Sequence, residues 1–579
     1  MFILGINAYH GDASACLFNN ADLVTAVEEE RFSRVKHSGG FPAKAINYCL
    51  TNSNIEITDI DHIAINRNPK TRFLSKLIYL IKNKIKIKNI KNRAVNLKKI
   101  TQIKNDFESI FKKKVKAKIH FIDHHLSHAA GAVLFSKFEN CNYITVDGFG
   151  DFVSTTTGVY KNGKFLNIDE VLYPHSLGLF YTAITQYLGF KNYGDEYKVM
   201  GLAPYGKPIF CEEMKKIINL EKKKLFSLNL DYFVHHTDGV EMTWLDKNVN
   251  IGNVYSGKLN DLFGPAREKG QNIEQKHKDI AASAQKTYEN IFLDIINNLY
   301  HKNKCINLSI SGGCGMNSVA NGKILENTDY KNVYVQSNPG DGGGSVGAAA
   351  YTIKKIIKNV KFENDTPFLG PSFSSSEVNK TIQKNQTFLD KENIEVNFYN
   401  EEEKLIEILS KYISNGLIIG LFRGKMEFGP RALGNRSIIA DPREKNIREI
   451  LNLKIKRRES FRPFAPSILE NEVVNWFEFD DDSPFMSKVY KIKSDKRKII
   501  PAVTHVDGTG RIQTVSSSTN NFYYQLIQKF NDITNVPMLL NTSFNENEPI
   551  VCNPEQAMDC FLRTKMDILV MENYLLKRI

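Results

Sequence analysis

Two histidines four residues apart, His124 and His128 in His124-His125-Leu126-Ser127-His128-Ala129-Ala130, would share one face of a helix and present two imidazoles at chelating distance. Two imidazoles do not complete a metal site. The missing donors are sought among loop carboxylates that follow apolar strands. Asp147, ahead of Gly148, is one, and Asp341 in Asn338-Pro339-Gly340-Asp341-Gly342-Gly343-Gly344 is another. Two imidazoles and two carboxylates suit Fe(II), Mn(II) or Zn(II). His10, on the turn Tyr9-His10-Gly11-Asp12, carries a group whose ordinary pKa lies near neutral. It is the candidate to take a proton from an attacking hydroxyl.

Glycine-rich turns let backbone amides approach phosphate. Four such turns occur, at 148–151, 201–206, 311–315 and 340–344, and no GxxxxGKS element accompanies them. That favours an actin-like nucleotide cleft over a P-loop, with Lys198 in reach of a phosphate. A second cluster lies towards the C-terminus, where 423–437 is followed by 456–464. Basic residues held among Gly, Pro and apolar residues make a shaped site for a small anion. Arg511 and the polar loop 541–545 are placed to complete it.

The elements that must position these residues read as an α/β chain. Expected strands cover 2–7, 15–18, 63–65, 119–122, 143–146, 306–309 and 333–336, with helices over 42–51, 125–135, 179–188, 279–300 and 346–358. Two blocks open alike, a hydrophobic strand followed by small and acidic residues: Gly5 to Asp12 and Thr145 to Asp151. They predict an internally duplicated domain. The polar stretch 359–376, with Gly, two Pro and a Ser run, places a domain boundary near 365. Beyond it, strands are expected at 417–422 and 437–440.

Composition excludes the disordered and fibrous classes, since 42% of the 579 residues are hydrophobic and 24% charged. Eight scattered cysteines without a CxxC pair read as reduced thiols of a cytoplasmic protein. The apolar start at Met1 to Ile6 is too short for a signal segment, and no run reaches the roughly 18 apolar residues of a membrane helix. The formal charge is +13. Lys76 to Lys118 holds 15 basic residues against Asp106 and Glu108, so this one stretch carries the whole excess. Its apolar residues recur at helical spacing, the pattern of a solvated amphipathic insertion. Membrane and nucleic acid are therefore not expected partners, and a role for this stretch in binding either is the alternative.

These motifs resemble the NodU/CmcH family of carbamoyltransferases, which includes nodulation, cephamycin and tobramycin carbamoyltransferases. The match runs through GINAYHGDASACL, EEERFSRVKH, HHLSHAA, VDGFGD, GDEYKVMGLAPYG, SGGCGMNS, NPGDGGGSVGAA, RGKMEFGPRALGNRSI, RRESFRPFAPS, DGTGRIQTV and NTSFNENEPI. The resemblance implies a Kae1-like domain of the actin/Hsp70 (ASKHA) type over 1–365 and a YrdC-like α/β domain over 366–579. The YrdC-like part would combine carbamoyl phosphate with ATP, as its Mg(II) complex, into carbamoyl adenylate and pyrophosphate. The Kae1-like part would pass the carbamoyl group to a hydroxyl of a small-molecule acceptor, such as a sugar or natural product, and release AMP.

Carried over by motif, His124, His128, Asp147 and Asp341 resemble the ligands of the family's iron, and His10 its general base. Towards nucleotide the expected set is Asp12, Lys36, Gly148, Gly150, Asp151, Lys198, Gly312, Gly313, Asn317, Gly340 and Gly342. Towards carbamoyl phosphate it is Lys70, Arg72, Lys425, Arg431, Arg436, Arg462, Arg511, Asn541 and Ser543, with the local match at Lys70 and Arg72 poor. A homodimer is compatible with the sequence. Threonylcarbamoylation of tRNA, which related folds perform, is a second enzymatic reading, weakened because the basic excess is not spread around the predicted cleft.

Overall fold

The computed structural model describes residues 1–82, 99–221, 225–238, 242–245, 248–363 and 365–579. Met1–Asp365 and Thr366–Ile579 form two compact units, and the architecture of each is mixed α/β.

The first unit holds two five-stranded sheets with one plan. In one, the order is Asp22–Glu28, Ser14–Asn19, Phe2–Asn7, His62–Ile65, Lys118–Phe121. In the other it is Lys164–Leu172, Val153–Lys161, Cys141–Gly150, Asn307–Ser311, Asn332–Val335. Each sheet begins with three antiparallel strands and continues with two parallel ones. The central strands Phe2–Asn7 and Cys141–Gly150 are buried over nearly their whole length, so they read as unbroken apolar runs and not as alternating ones. In each sheet the chain leaves this central strand through a turn that contains an aspartate at positive φ, Asp12 (54°) and Asp151 (52°).

Between the sheets, the helices His124–Val133 and Gly344–Ile356 cross closely. Gly347 permits the approach: a Cβ there would lie 1.8 Å from the Ser127 carbonyl oxygen. Because one helix starts at His124 and the other follows Asp341, this crossing fixes how far apart those two side chains can be.

Sequence periodicity did not indicate the outer strands Val153–Lys161 and Lys164–Leu172. The first is rich in Ser and Thr and the second is half-exposed, so neither shows an apolar run. Of the Lys-rich stretch, the described parts include helices Phe73–Lys82 and Ile103–Phe111, and 83–98 lies outside the described residues.

The second unit is built on a nine-stranded sheet: Ile394–Phe398, Tyr574–Arg578, Ile568–Met571, Ile419–Phe422, Arg436–Ala440, Met538–Ser543, Ala465–Leu469, Thr509–Val515, Lys488–Lys491. Helices Glu402–Ser414, Asn521–Thr534 and Pro554–Thr564 cover it with amphipathic faces, and Leu405, Leu409, Tyr523, Phe530 and Phe561 are among the buried side chains of its core. Among the described residues no helix is long and apolar enough to cross a membrane.

Candidate active site

His124 opens its helix and His128 follows one turn later, so both rings point to one side, where strand Cys141–Gly150 delivers Asp147 and the turn Asp341–Gly343 delivers Asp341. His124 Nε2 is 3.0 Å from Asp147 Oδ2 and 3.4 Å from Asp341 Oδ1, and His128 Nε2 is 3.3 and 3.5 Å from the same two oxygens. The two Nε2 atoms are 3.1 Å apart. A tetrahedral ion with bonds of about 2.1 Å has ligand–ligand edges of about 3.4 Å, so this spacing is that of a coordination shell. Asp341 Oδ1 is buried without a hydrogen-bond partner, which a cation would supply. The donor set therefore fits a divalent metal ion.

The electrostatics agree. Burial alone would raise both carboxyls, but hydrogen bonds to His124 and His128 hold Asp147 well below the usual range. At Asp341 the same burial is outweighed by His10, and its pKa falls to about 2. Burial lowers the His128 imidazole, but the charges of the Asp147 and Asp341 carboxylates beside it more than offset this, and its pKa rises to about 9. A metal ion takes the place of such protons. Supports lie behind the ligands: Asp147 Oδ1 accepts from Gly148 N (2.8 Å) and Gly313 N (3.3 Å), and His124 N donates to Asp151 Oδ2 (3.0 Å). His125 faces away, bonded at Nδ1 to Thr145 Oγ1 (2.7 Å) and at Nε2 to the Val153 carbonyl (3.0 Å). Burial and its histidine neighbours pull it down to about 3, so it stays neutral.

His10 Nδ1 lies 2.6 Å from Asp341 Oδ2, an ion-pair contact off the alignment of a hydrogen bond. Burial lowers its pKa, but the Asp341 carboxylate more than offsets this, and the net direction is upward. Its turn is held from three sides. Asn7 Nδ2 donates to the Gly11 and Asp12 carbonyls (both 2.8 Å), Tyr9 N and Ala13 N bond to Gly40 O and Ser38 O, and His37 Nδ1 is 2.7 Å from Asp12 Oδ1. Glu30 accepts from His37 N (2.7 Å). Arg67, missed by the sequence reading, donates to the Tyr9 carbonyl (3.1 Å) and lies within electrostatic reach of Asp151 and Asp341.

The glycines Gly148, Gly150, Gly312, Gly313, Gly340 and Gly342 gather around these ligands. Gly150 is required there, since a Cβ would meet the His124 ring at 1.9 Å. Gly312, at φ 91°, stands where a Cβ would meet the Val146 carbonyl oxygen at 2.2 Å. Three candidates carry other contacts. Lys198 Nζ pairs with Asp195 (2.9 Å), Asn317 caps its helix and exchanges hydrogen bonds with Gln285, and Lys36 is exposed beside His37. Lys70 is exposed in the first unit, and Arg72 pairs with Glu170, both lining a cavity of about 390 Å³ that His124 and Asp151 also line.

In the second unit, Arg431, Arg458 and Arg462 lie within electrostatic reach of Arg511. Burial and these three like charges pull Arg511 well below the usual guanidinium range. Its Nε is buried without a partner, and so is Asn541 Oδ1. Asn541 Nδ2 donates to Ala432 O, Ser467 Oγ and Gln513 Oε1. Glu427, also missed, shapes the loop before Arg436 by accepting from the amides of Leu433, Asn435 and Arg436.

Arg436 does not join the expected anion pocket. Its guanidinium donates to the carbonyls of Arg423, Asn435, Pro371 and Gly424 and lies 3.8 Å above the Phe422 ring. It is a structural pin because a buried guanidinium finds carbonyl acceptors at the end of its strand. Ser543 Oγ is bound by Lys456 Nζ and bonds to Asn545 Oδ1, and Lys425 is exposed.

The family models for the carbamoyltransferase N-terminus and C-terminus match residues 2–350 and 410–578. The chain belongs to the carbamoyltransferase family and is a transferase. An uncharacterized protein of Synechocystis sp. is 37% identical to it over 100% of this chain and 96% of that one. The nodulation protein NolNO of Sinorhizobium fredii is 34% identical over 99% of this chain and 80% of its own length. The nodulation protein NolO of Bradyrhizobium diazoefficiens is 34% identical over 79% of each.

Proposed function

We propose that the chain is an ATP-dependent O-carbamoyltransferase acting on a hydroxyl of a small-molecule acceptor, with an actin/Hsp70-type, Kae1-like first unit and a YrdC-like second unit. The observation that carries the reading is the convergence of His124, His128, Asp147 and Asp341 beside His10 in a chain of this family. The matching five-stranded sheets support the fold assignment.

In this reading carbamoyl phosphate, water and ATP become carbamoyl adenylate, phosphate and pyrophosphate. The acceptor hydroxyl then attacks the carbamoyl carbon and AMP leaves. The arginines around Arg511 suit a phosphate dianion, and the partnerless Asn541 Oδ1 suits the carbamoyl NH2. In the first unit His124, His128, Asp147 and Asp341 would hold a divalent metal, Fe(II) in the family reading, which when bound supplies positive charge against the adenylate phosphate. Asp341 and Asn7 orient the His10 turn, and His10 removes the acceptor proton as the C–O bond forms. The amides of Gly148 and Gly313 hold Asp147, and the 340–344 turn is the glycine-rich segment beside the site where an anion is to be accommodated.

Pyrophosphate release from ATP plus carbamoyl phosphate, measured without an acceptor, tests the reading. Release dependent on carbamoyl phosphate is expected, and it should survive in His10→Asn while transfer stops. No release from the folded, metal-loaded protein would overturn the adenylate chemistry.

A further inference from the structure

Helix Phe73–Lys82 is amphipathic with its apolar side turned outward. Phe73, Leu74, Leu77, Ile78 and Ile81 are between 43% and 76% exposed. Among the described residues every other helix has at most one large hydrophobic side chain so exposed. At about 100° per residue the five fall on one arc of about 140°. Tyr79 sits nearly opposite the centre of that arc. Its ring packs edge-on against Phe152 (5.8 Å) and Tyr173 (5.0 Å), and its hydroxyl reaches the His236 carbonyl (3.4 Å). The helix is thus fastened to the protein by its minor face, and none of the described residues covers its apolar face.

The same helix opens the stretch that carries the protein's charge excess. From Lys76 to Lys104 the sequence has ten basic residues and no acidic one. We infer that the Phe73–Ile81 face is a peripheral docking surface for an anionic lipid bilayer. An outward apolar arc followed along the chain by dense positive charge has the two chemistries such a surface needs, acyl chains for the first and anionic headgroups for the second. A second copy of the chain would bring the same positive charge against itself. A nucleic acid would use the charge and leave five aliphatic and aromatic side chains in water.

The test is co-sedimentation of the full-length protein with vesicles of phosphatidylcholine alone and of phosphatidylcholine with 30% phosphatidylglycerol (about 30 mol%) at low and about 0.15 M salt. Binding is expected to the anionic vesicles, weaker at the higher salt, and not to the neutral ones. The variant Leu74→Gln/Ile78→Gln/Ile81→Gln changes exposed positions, so it should keep wild-type circular dichroism and bind at least about tenfold more weakly. Absence of binding at low salt would overturn the proposal, as would unchanged binding by the variant, which would assign the attraction to charge alone. Self-association lost in the same variant, without vesicle binding, would assign the face to a second copy. Binding of a polyanionic RNA in place of vesicles would assign it to nucleic acid.

Discussion

At the scale of single residues, the His37–Asp12 pair stands outside the four candidate metal ligands and braces the turn that carries His10. Burial lowers the His37 imidazole, but Asp12 and Glu30 more than offset it, and the pKa rises to about 9 from the ordinary 6.5. A histidine raised in the folded state adds stability that is complete below about pH 6.5 and disappears as pH rises through about 9. A third of the His37 side chain is exposed, so solvent screening reduces the pair to about 1–2 kcal/mol. The stability difference between wild type and His37→Gln, from urea unfolding, should therefore be largest at pH 6 and nearly absent at pH 10. A difference that does not change with pH would mean the pair is not ionised. At this scale the four candidate metal ligands were readable, because a four-residue spacing on a helix and carboxylates at strand ends are local signals. Arg67 and Glu427 were not, since their importance comes from partners distant in sequence or from a loop shape. Arg436 was misassigned because residue type alone cannot separate a guanidinium aimed at phosphate from one aimed at carbonyls.

At the scale of elements, the candidate metal site is flanked by two turns that leave the central strands of matching sheets, one bringing His10 to Asp341 and the other Asp151 to the amide of His124. The likeness of Gly5–Asp12 to Thr145–Asp151 was visible in sequence, and its structural counterpart is the shared strand order and the positive φ of Asp12 and Asp151. The outer strands were not visible, since Thr-rich and half-exposed strands lack the apolar run that marks the central ones. Most of the nine-stranded sheet was missed for a related reason: its strands are only four to seven residues long and separated by polar loops. The second turn has a testable steric limit. A Cβ on Gly150 would overlap the His124 ring, whereas one on Gly148 would meet nothing within 4 Å. Gly150→Ala should lower metal content per protein by at least about tenfold, and Gly148→Ala should leave it unchanged. Equal metal content in both variants would remove His124 from the ligand set.

At the scale of the whole molecule, the chemistry assigned to the two units makes their failures separable. The candidate metal ligands all lie in Met1–Asp365, and the arginines around Arg511 all lie in Thr366–Ile579. Removing Arg511 takes away a buried donor without a partner of its own, so the second unit should keep its fold while losing its hold on phosphate. Arg511→Ala is expected to bind metal at the wild-type level and to release pyrophosphate about 100-fold more slowly. His128→Ala removes a candidate ligand from a fully buried position and should lose metal and carbamoylated product together, while pyrophosphate release that depends on carbamoyl phosphate continues. Metal analysis, pyrophosphate release and product formation, measured on both variants, decide the matter. Loss of pyrophosphate release in His128→Ala would mean that adenylate formation needs the first unit's metal site, and the assignment of one half-reaction to each unit would fail.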